Sequence, residues 1–286
     1  MKTKWLPLIP GVICVSWAAI FIRASSAPAI AIAAYRMLFA AVLLIPPVIL
    51  FYRHRFGEFG RSTFWLTVSA GFLLGWHFYF WVNSLKYTTV AASVVLVTTQ
   101  PVFVAVFSKI ILKEKIGGRG SMAILLALTG SMIIAGFDLG LEKKYLLGDL
   151  LALAGAVMAG AYLFIGRIVR GSVSTTPYIT VVYGLSALTL LSILACGGDL
   201  LTVYEWRDYG LFLLLAVIPT LLGHSLYNYS LKHVPAHKVG LSIVGEPVLA
   251  TIWAIIVFGE IPRLTTVLGG LIIIGALILA FSQKRN

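Results

Sequence analysis

Residues 245–260 read GEPVLATIWAIIVFGE, and residues 99–114 read TQPVFVAVFSKIILKE. Each is an apolar run opened by a polar residue, a proline and a valine, and each reaches a glutamate thirteen residues after its proline: Glu114 in the first, Glu260 in the second. A helix of a soluble core and a helix of a bilayer both fit so apolar a run. Composition decides between them. The 286 residues are 60% hydrophobic and only 11% charged, and mean hydropathy is +0.99. No soluble core uses that much apolar surface, so the surrounding solvent is lipid.

A crossing needs ~20 mostly apolar residues. Ten such windows follow one another, at about 5–24, 28–52, 62–85, 88–111, 119–138, 146–168, 176–197, 208–232, 236–258 and 264–282. Helices satisfy their backbone hydrogen bonds within one segment, and no ten-residue alternation suggests a barrel. The expected class is an all-α integral membrane protein with ten transmembrane helices. The first window has the flavour of a signal peptide, but its apolar part is longer than the usual ~7–15 residues, so it reads as a retained span.

The net charge of +12 would suit a nucleic-acid binder if it were concentrated in a patch. Its distribution points to topology. With a cytoplasmic N-terminus and alternating spans, 15 of the 22 Lys and Arg fall at inner loops and span ends, and six fall outside. Arg36 lies within a span. This positive-inside bias puts both termini in the cytoplasm and the chain in the inner (plasma) membrane, with no nucleic-acid partner. Cys14 and Cys196 fall in separate apolar spans and give no disulfide or metal-ligand spacing.

The repeated pattern extends beyond the opening pair. Shifting the chain by 146 positions superposes Ser84, Leu85 and Lys86 on Ser230, Leu231 and Lys232. The same shift matches Pro101 with Pro247, Val102 with Val248, Ile110 with Ile256 and Glu114 with Glu260. Upstream, Gly11 and Arg23 answer to Gly155 and Arg167. Two five-helix units result, 1–140 and 141–286. Because five crossings precede the second unit, it enters the membrane upside-down. Inverted repeats of this kind recur in secondary transporters, with the substrate held between the repeats near mid-membrane.

Each half ends in a small-polar-Pro-Val helix, a glutamate, a short turn and a Gly-rich closing helix: TQPVFVAVFSKIILKEKIGGRGSMAILLALTGSMIIAG and GEPVLATIWAIIVFGEIPRLTTVLGGLIIIGALILAF. Together with AIAAYRMLFAAVLLI around Arg36, these stretches resemble the EamA-type domain of the drug/metabolite transporter superfamily. The ten-span form resembles bacterial amino-acid and metabolite exporters more than the four-span multidrug type. The resemblance implies a cavity lined from spans one, three, four, six, eight and nine. It also implies a cargo among amino acids, nucleotide-related metabolites, sugars and amphipathic drugs.

Several in-span residues are candidate substrate ligands. Glu246 sits near mid-membrane, where an ionisable group costs at least ~2.5 kcal/mol. It fits a ligand for a substrate amine, a proton carrier, or a structural partner of Arg36. Gln100 is its uncharged counterpart in the first half. Arg36 fits a bidentate carboxylate ligand or a fixed counter-ion for helix ends or for Glu246. Pro101 and Pro247 free backbone carbonyls and invite kinks that gate or line a cavity.

Helical spacing puts Trp76 and Tyr79 on one face of span three with Asn83, and His77 and Trp81 on a neighbouring stripe. Trp81 reads as interfacial belt. His224, Tyr227 and Asn228 share a face of span eight. Trp17 and Tyr162 occupy nearby positions of spans one and six. All of these also fit plain packing, and each His also fits a bond to a neighbouring helix. As a set they describe an amphipathic pocket for a small molecule with an apolar body and a charged head. Glu114 and Glu260 read as helix-end contacts, and the glycines of LALTGSM and GALILA as close-packing positions.

Phosphate-binding glycine loops, HExxH, CxxC and a Ser-His-Asp set do not occur in the sequence. The expectation is therefore a secondary transporter without catalytic residues, cofactor or metal. Its partners are the bilayer, a small metabolite (foremost an amino acid with a large apolar or aromatic side chain) and, if Glu246 or a histidine titrates, protons. An integral-membrane enzyme, a channel, and a carrier of amphipathic drugs or nucleotide-related metabolites are the alternatives.

Overall fold

A computed structural model describes residues 8–111, 113, 118–138, 143–198, 200–233, 243 and 245–281. Glu114 of the repeat pattern, and Lys2, Lys4, Lys115, Lys238, Lys284 and Arg285, which are among the 15 inner cations, lie outside the described residues. Among those described, all regular structure is helical. The elements are α1 (Leu8–Ser16), α2 (Ala18–Ala24), α3 (Ala29–Pro47), α4 (Arg61–Tyr87), α5 (Val90–Val97), α6 (Gln100–Ile111) and α7 (Gly118–Asp138). They continue with α8 (Lys143–Val169), α9 (Thr175–Cys196), α10 (Trp206–Leu215), α11 (Ser225–His233), α12 (Gly245–Phe258) and α13 (Leu264–Phe281). A π-helical turn and a 3-10 turn extend α3 to Glu58, and a π-helical segment, Ala216–His224, joins α10 to α11.

Five of these stretches are long and apolar enough to cross a bilayer: Ala29–Glu58, Val90–Ile111, Lys143–Val169, Thr175–Cys196 and Trp206–Ser230. Leu8–Ala24, Gly245–Phe258 and Leu264–Ala276 are shorter apolar helices. The uninterrupted windows expected from hydropathy are therefore broken in places, and the breaks have local causes. α5 ends at Thr98, whose N–H folds back to Val94 and Leu96 while the Thr98 and Thr99 hydroxyls donate to the carbonyls of Val95 and Leu96. Side chains that offer the backbone such alternatives loosen a helix end. α6 then starts afresh at Gln100. This corrects the kink reading of Pro101. Pro101 is the second residue of α6, where the missing N–H has no intrahelical partner to lose, and Pro247 is the third described residue of α12.

The helices pack through small residues. α4 lies along α8 and α9, α3 along α9, α7 along α13, and α1 against the π-helical segment. At Gly130 an added Cβ would stand 2.7 Å from the Gly269 carbonyl oxygen, so α7 and α13 touch almost backbone to backbone. Gly275, expected to serve the same purpose, faces open space.

Each end of the bundle is tied by carboxylates. At one end Asp208 accepts from the Ser25 hydroxyl at 2.6 Å, the Ser26 hydroxyl at 2.8 Å and the Ser26 N–H at 3.1 Å, at the turn leading into α3. Glu260 accepts from the Val90 N–H at 2.6 Å, capping α5, and pairs with Arg23 at 3.4 Å. Arg23 also donates to the carbonyls of Leu85 and Thr88, and Lys86 to that of Ser25. At the other end Glu58 accepts from the N–H and hydroxyl of Ser174, the residue before α9, at 2.6 and 2.7 Å.

Candidate functional site

The alanines of α3 prepare the site. Ala31, Ala33, Ala34 and Ala40 are buried, and they let α3 approach its neighbours so closely that Arg36 is 0% exposed. Its Nε–H donates to the Thr220 hydroxyl at 2.7 Å. Thr220 in turn donates to the Leu215 carbonyl at 2.8 Å, five residues back, which is the spacing of a π-helix. The guanidinium carbon stands 4.2 Å from the centre of the Phe78 ring and 5.9 Å from that of Trp81. A desolvated cation–π contact is worth about 2 kcal/mol. Nη1 and Nη2 have no hydrogen-bond partner among the described residues.

Glu246 occupies the first turn of α12, where the helix dipole favours a negative charge, and is 6% exposed. It lies within the field of Arg36 and of Tyr227. The structural partnership between Glu246 and Arg36 is not formed, because no N–O contact within 4.0 Å joins the two. Two buried opposite charges thus share one region without neutralising each other by contact.

Around them run the rings of α4 and α11. His77 stacks on Trp81 with centroids 5.9 Å apart and donates through Nδ1 to the Gly155 carbonyl on α8 at 2.9 Å. Phe78 meets His224 edge-on at 5.9 Å, and His224 meets Tyr227 edge-on at 6.4 Å. The Tyr227 hydroxyl has no partner among the described residues. Tyr162 and Asn228 bond to each other, with the Asn228 amide donating to the Tyr162 oxygen at 3.1 Å and to the His224 carbonyl at 2.9 Å. Trp17 sits at the break between α1 and α2 and stacks on Trp253 of α12, centroids 4.7 Å apart, while Trp253 Nε1–H donates to Ser16 at 3.1 Å.

The structure therefore gathers Arg36, His77, His224, Tyr227 and Glu246, with Tyr162 and Asn228 adjoining through His224. It does not gather all of the expected set. Trp76 touches Phe72, Tyr79 and Phe80, all on its own helix. Gln100 is half-buried, with its backbone carbonyl against Gly160 of α8. Trp81 corrects its belt reading: it is 3% exposed and packed beside Arg36. Phe78, Thr220 and Trp253 escape a reading of the sequence. A phenylalanine or threonine in an apolar run carries no signal, and a lone Trp near a span end reads as interface.

A sequence model of the EamA-like transporter family matches this chain twice, over residues 7–136 and 146–282. The chain belongs to the EamA-like transporter family. An uncharacterized transporter of Bacillus subtilis is 28% identical over 74% of this chain and 70% of its own length. A pseudopaline exporter of Pseudomonas aeruginosa is 26% identical over 71% of this chain and 70% of its own. An uncharacterized transporter of Archaeoglobus fulgidus is 25% identical over 90% of this chain and 89% of its own. A solved crystal structure shares the fold with a TM-score of 0.65 at 19% identity, covering 98% of this chain and 97% of that one. The protein is a multi-pass membrane transporter of the EamA type within the drug/metabolite transporter superfamily, and its relatives are named as transporters.

Proposed function

We propose that this EamA-type protein is a secondary carrier that moves a small metabolite, foremost an amino acid with a large apolar or aromatic side chain, by alternating access. In this reading ten spans form two inverted five-helix repeats, 1–140 and 141–286, in the inner membrane with both termini cytoplasmic. The observation that carries the function is the pair of buried charges that make no direct contact, Arg36 from the first half and Glu246 from the second, with aromatic rings against Arg36. An amino acid offers a complementary carboxylate, amine and apolar side chain.

Three features support the inverted arrangement. The family match falls once in each half. Asp208, in the first turn of α10, holds the serines ahead of α3, and Glu58, ahead of α4, holds the serine ahead of α9. Each tie joins the start of a third span to the start of the other half's second span, although the 146-residue shift places Asp208 on Ser62 and Glu58 on Tyr204. The packing scheme also maps onto itself when the halves are exchanged, since α4 on α9 answers to the π-helical segment on α3, and α7 on α13 answers to itself. Two such interchangeable halves give inward- and outward-open states of similar energy.

The carrier is driven by the cargo gradient, or by protons if Glu246 or a histidine titrates during the cycle. The name of the Pseudomonas relative supports a second reading, export of a pseudopaline-like compound. Counterflow in proteoliposomes tests the proposal. Labelled amino acid should accumulate transiently, saturably and chemically unchanged against an unlabelled internal pool. Flux without saturation indicates a channel, and covalent change of the solute an enzyme; either result would overturn the carrier reading.

A further inference from the structure

We infer that the cargo presents a carboxylate to the free edge of Arg36, a conclusion that rests on the carrier reading above and narrows its substrate class. Among the described residues, the Arg36 guanidinium and the Trp81 indole present donors that no acceptor meets. The guanidinium has one edge fixed, through Nε, to Thr220, while Nη1 and Nη2 are buried without an acceptor. Trp81, whose ring centre is 5.9 Å from the guanidinium carbon, has a buried Nε1–H that is equally without one. Both side chains are over nine-tenths buried.

Buried N–H donors left unmatched are unfavourable, and a buried cation without an anion more so. Among the described residues no oxygen bonds Nη1 or Nη2. Thr220 is occupied, Phe78 offers only its ring face, the Tyr183 hydroxyl is engaged with Ser225, and Glu246 lies beyond contact. The ligand must therefore bring acceptor oxygens and a negative charge. A planar carboxylate fits the guanidinium fork with two parallel bonds. Glu246 makes a doubly charged phosphate a poorer match, since one cation faces one anion across the site. A carboxylate paired with an ammonium group satisfies both charges.

Matched acid and amide probes test this on the full-length protein in detergent: L-phenylalanine against L-phenylalaninamide, L-leucine against L-leucinamide, and 3-phenylpropionate and inorganic phosphate alone. Thermal stabilisation should appear with at least one amino acid and be absent with its amide, which keeps the amine and the side chain. Arg36→Gln should weaken the apparent Kd for that acid roughly 10–100-fold. Arg36→Lys, with the charge but without the fork, should recover only part of the affinity. Should Arg36→Gln fail to fold, Thr220→Val leaves the guanidinium in place but unanchored, and should weaken binding while keeping the preference for acid over amide.

Equal stabilisation by acid and amide, stabilisation by amides or phosphate alone, no response to any carboxylate, or an unchanged acid preference in Arg36→Gln would each overturn the inference. The same panel run as counterflow separates it from the carrier reading. Saturable exchange of amides with inert acids removes the carboxylate and leaves the carrier. Binding of acids with no exchange of any compound removes the carrier and leaves the carboxylate site.

Discussion

Glu246 sits where an acid in an apolar helix is least costly, in a first turn facing a distant cation. Glu246→Gln keeps the shape and the hydrogen-bonding atoms but removes the charge. Transport should fall by roughly tenfold or more, the size of a lost charge-assisted contact. The unfolding temperature should stay near wild type, because no direct ion pair is broken. Wild-type flux in proteoliposomes would discard the role. Trp253 poses a second question at this scale. Trp253→Phe retains a ring against Trp17 but loses the bond to Ser16, a change of about 1 kcal/mol. Trp253→Ala should cost about 2–4 kcal/mol more, since it loses both the ring pair and the half-buried ring. Thermal unfolding of the two variants measures the order.

At the scale of elements, the interruptions matter more than the helices. The first polar-Pro-Val segment begins a new helix, and Gln100 and Glu246 fall in the first turns of α6 and α12 as described. Glu260 then works as a cap and a tie across elements. In Glu260→Gln the amide oxygen can still accept from Val90 N–H while the pairing with Arg23 is lost. Glu260→Ala removes both. The alanine variant should be the less stable of the two by about 0.5–2 kcal/mol, the usual worth of a cap, read as a lower midpoint in a detergent melt. Equal midpoints would mean the cap contributes nothing.

Much of this architecture was legible in the sequence, because hydropathy and proline are local signals. Apolar runs announce helices, and the two prolines mark where chain continuity changes. The form of that change was not legible. Whether Pro101 bends a helix or opens one depends on Thr98 and Thr99 turning back on α5, and those residues read as helix-tolerant. Burial depth was not legible either, which is why Trp81 looked like interface. The separation of Arg36 from Glu246 depends on where α3 and α12 sit in the bundle, α3 against α9 and α12 against α1 and α5, a relation between distant segments that no spacing encodes.

For the whole molecule, the proposed carrier is two halves of opposite orientation enclosing charges that neither half satisfies alone. The Asp208 and Glu58 ties then lie on opposite sides of the membrane. Single cysteines at positions 2, 26, 172 and 285, in a chain lacking Cys14 and Cys196, can be probed with a membrane-impermeant maleimide in intact and permeabilised cells. The account predicts labelling at 26 from outside, and labelling at 172 and at both terminal positions only after permeabilisation. Labelling of either terminus in intact cells, or of 26 and 172 from the same side, would contradict it.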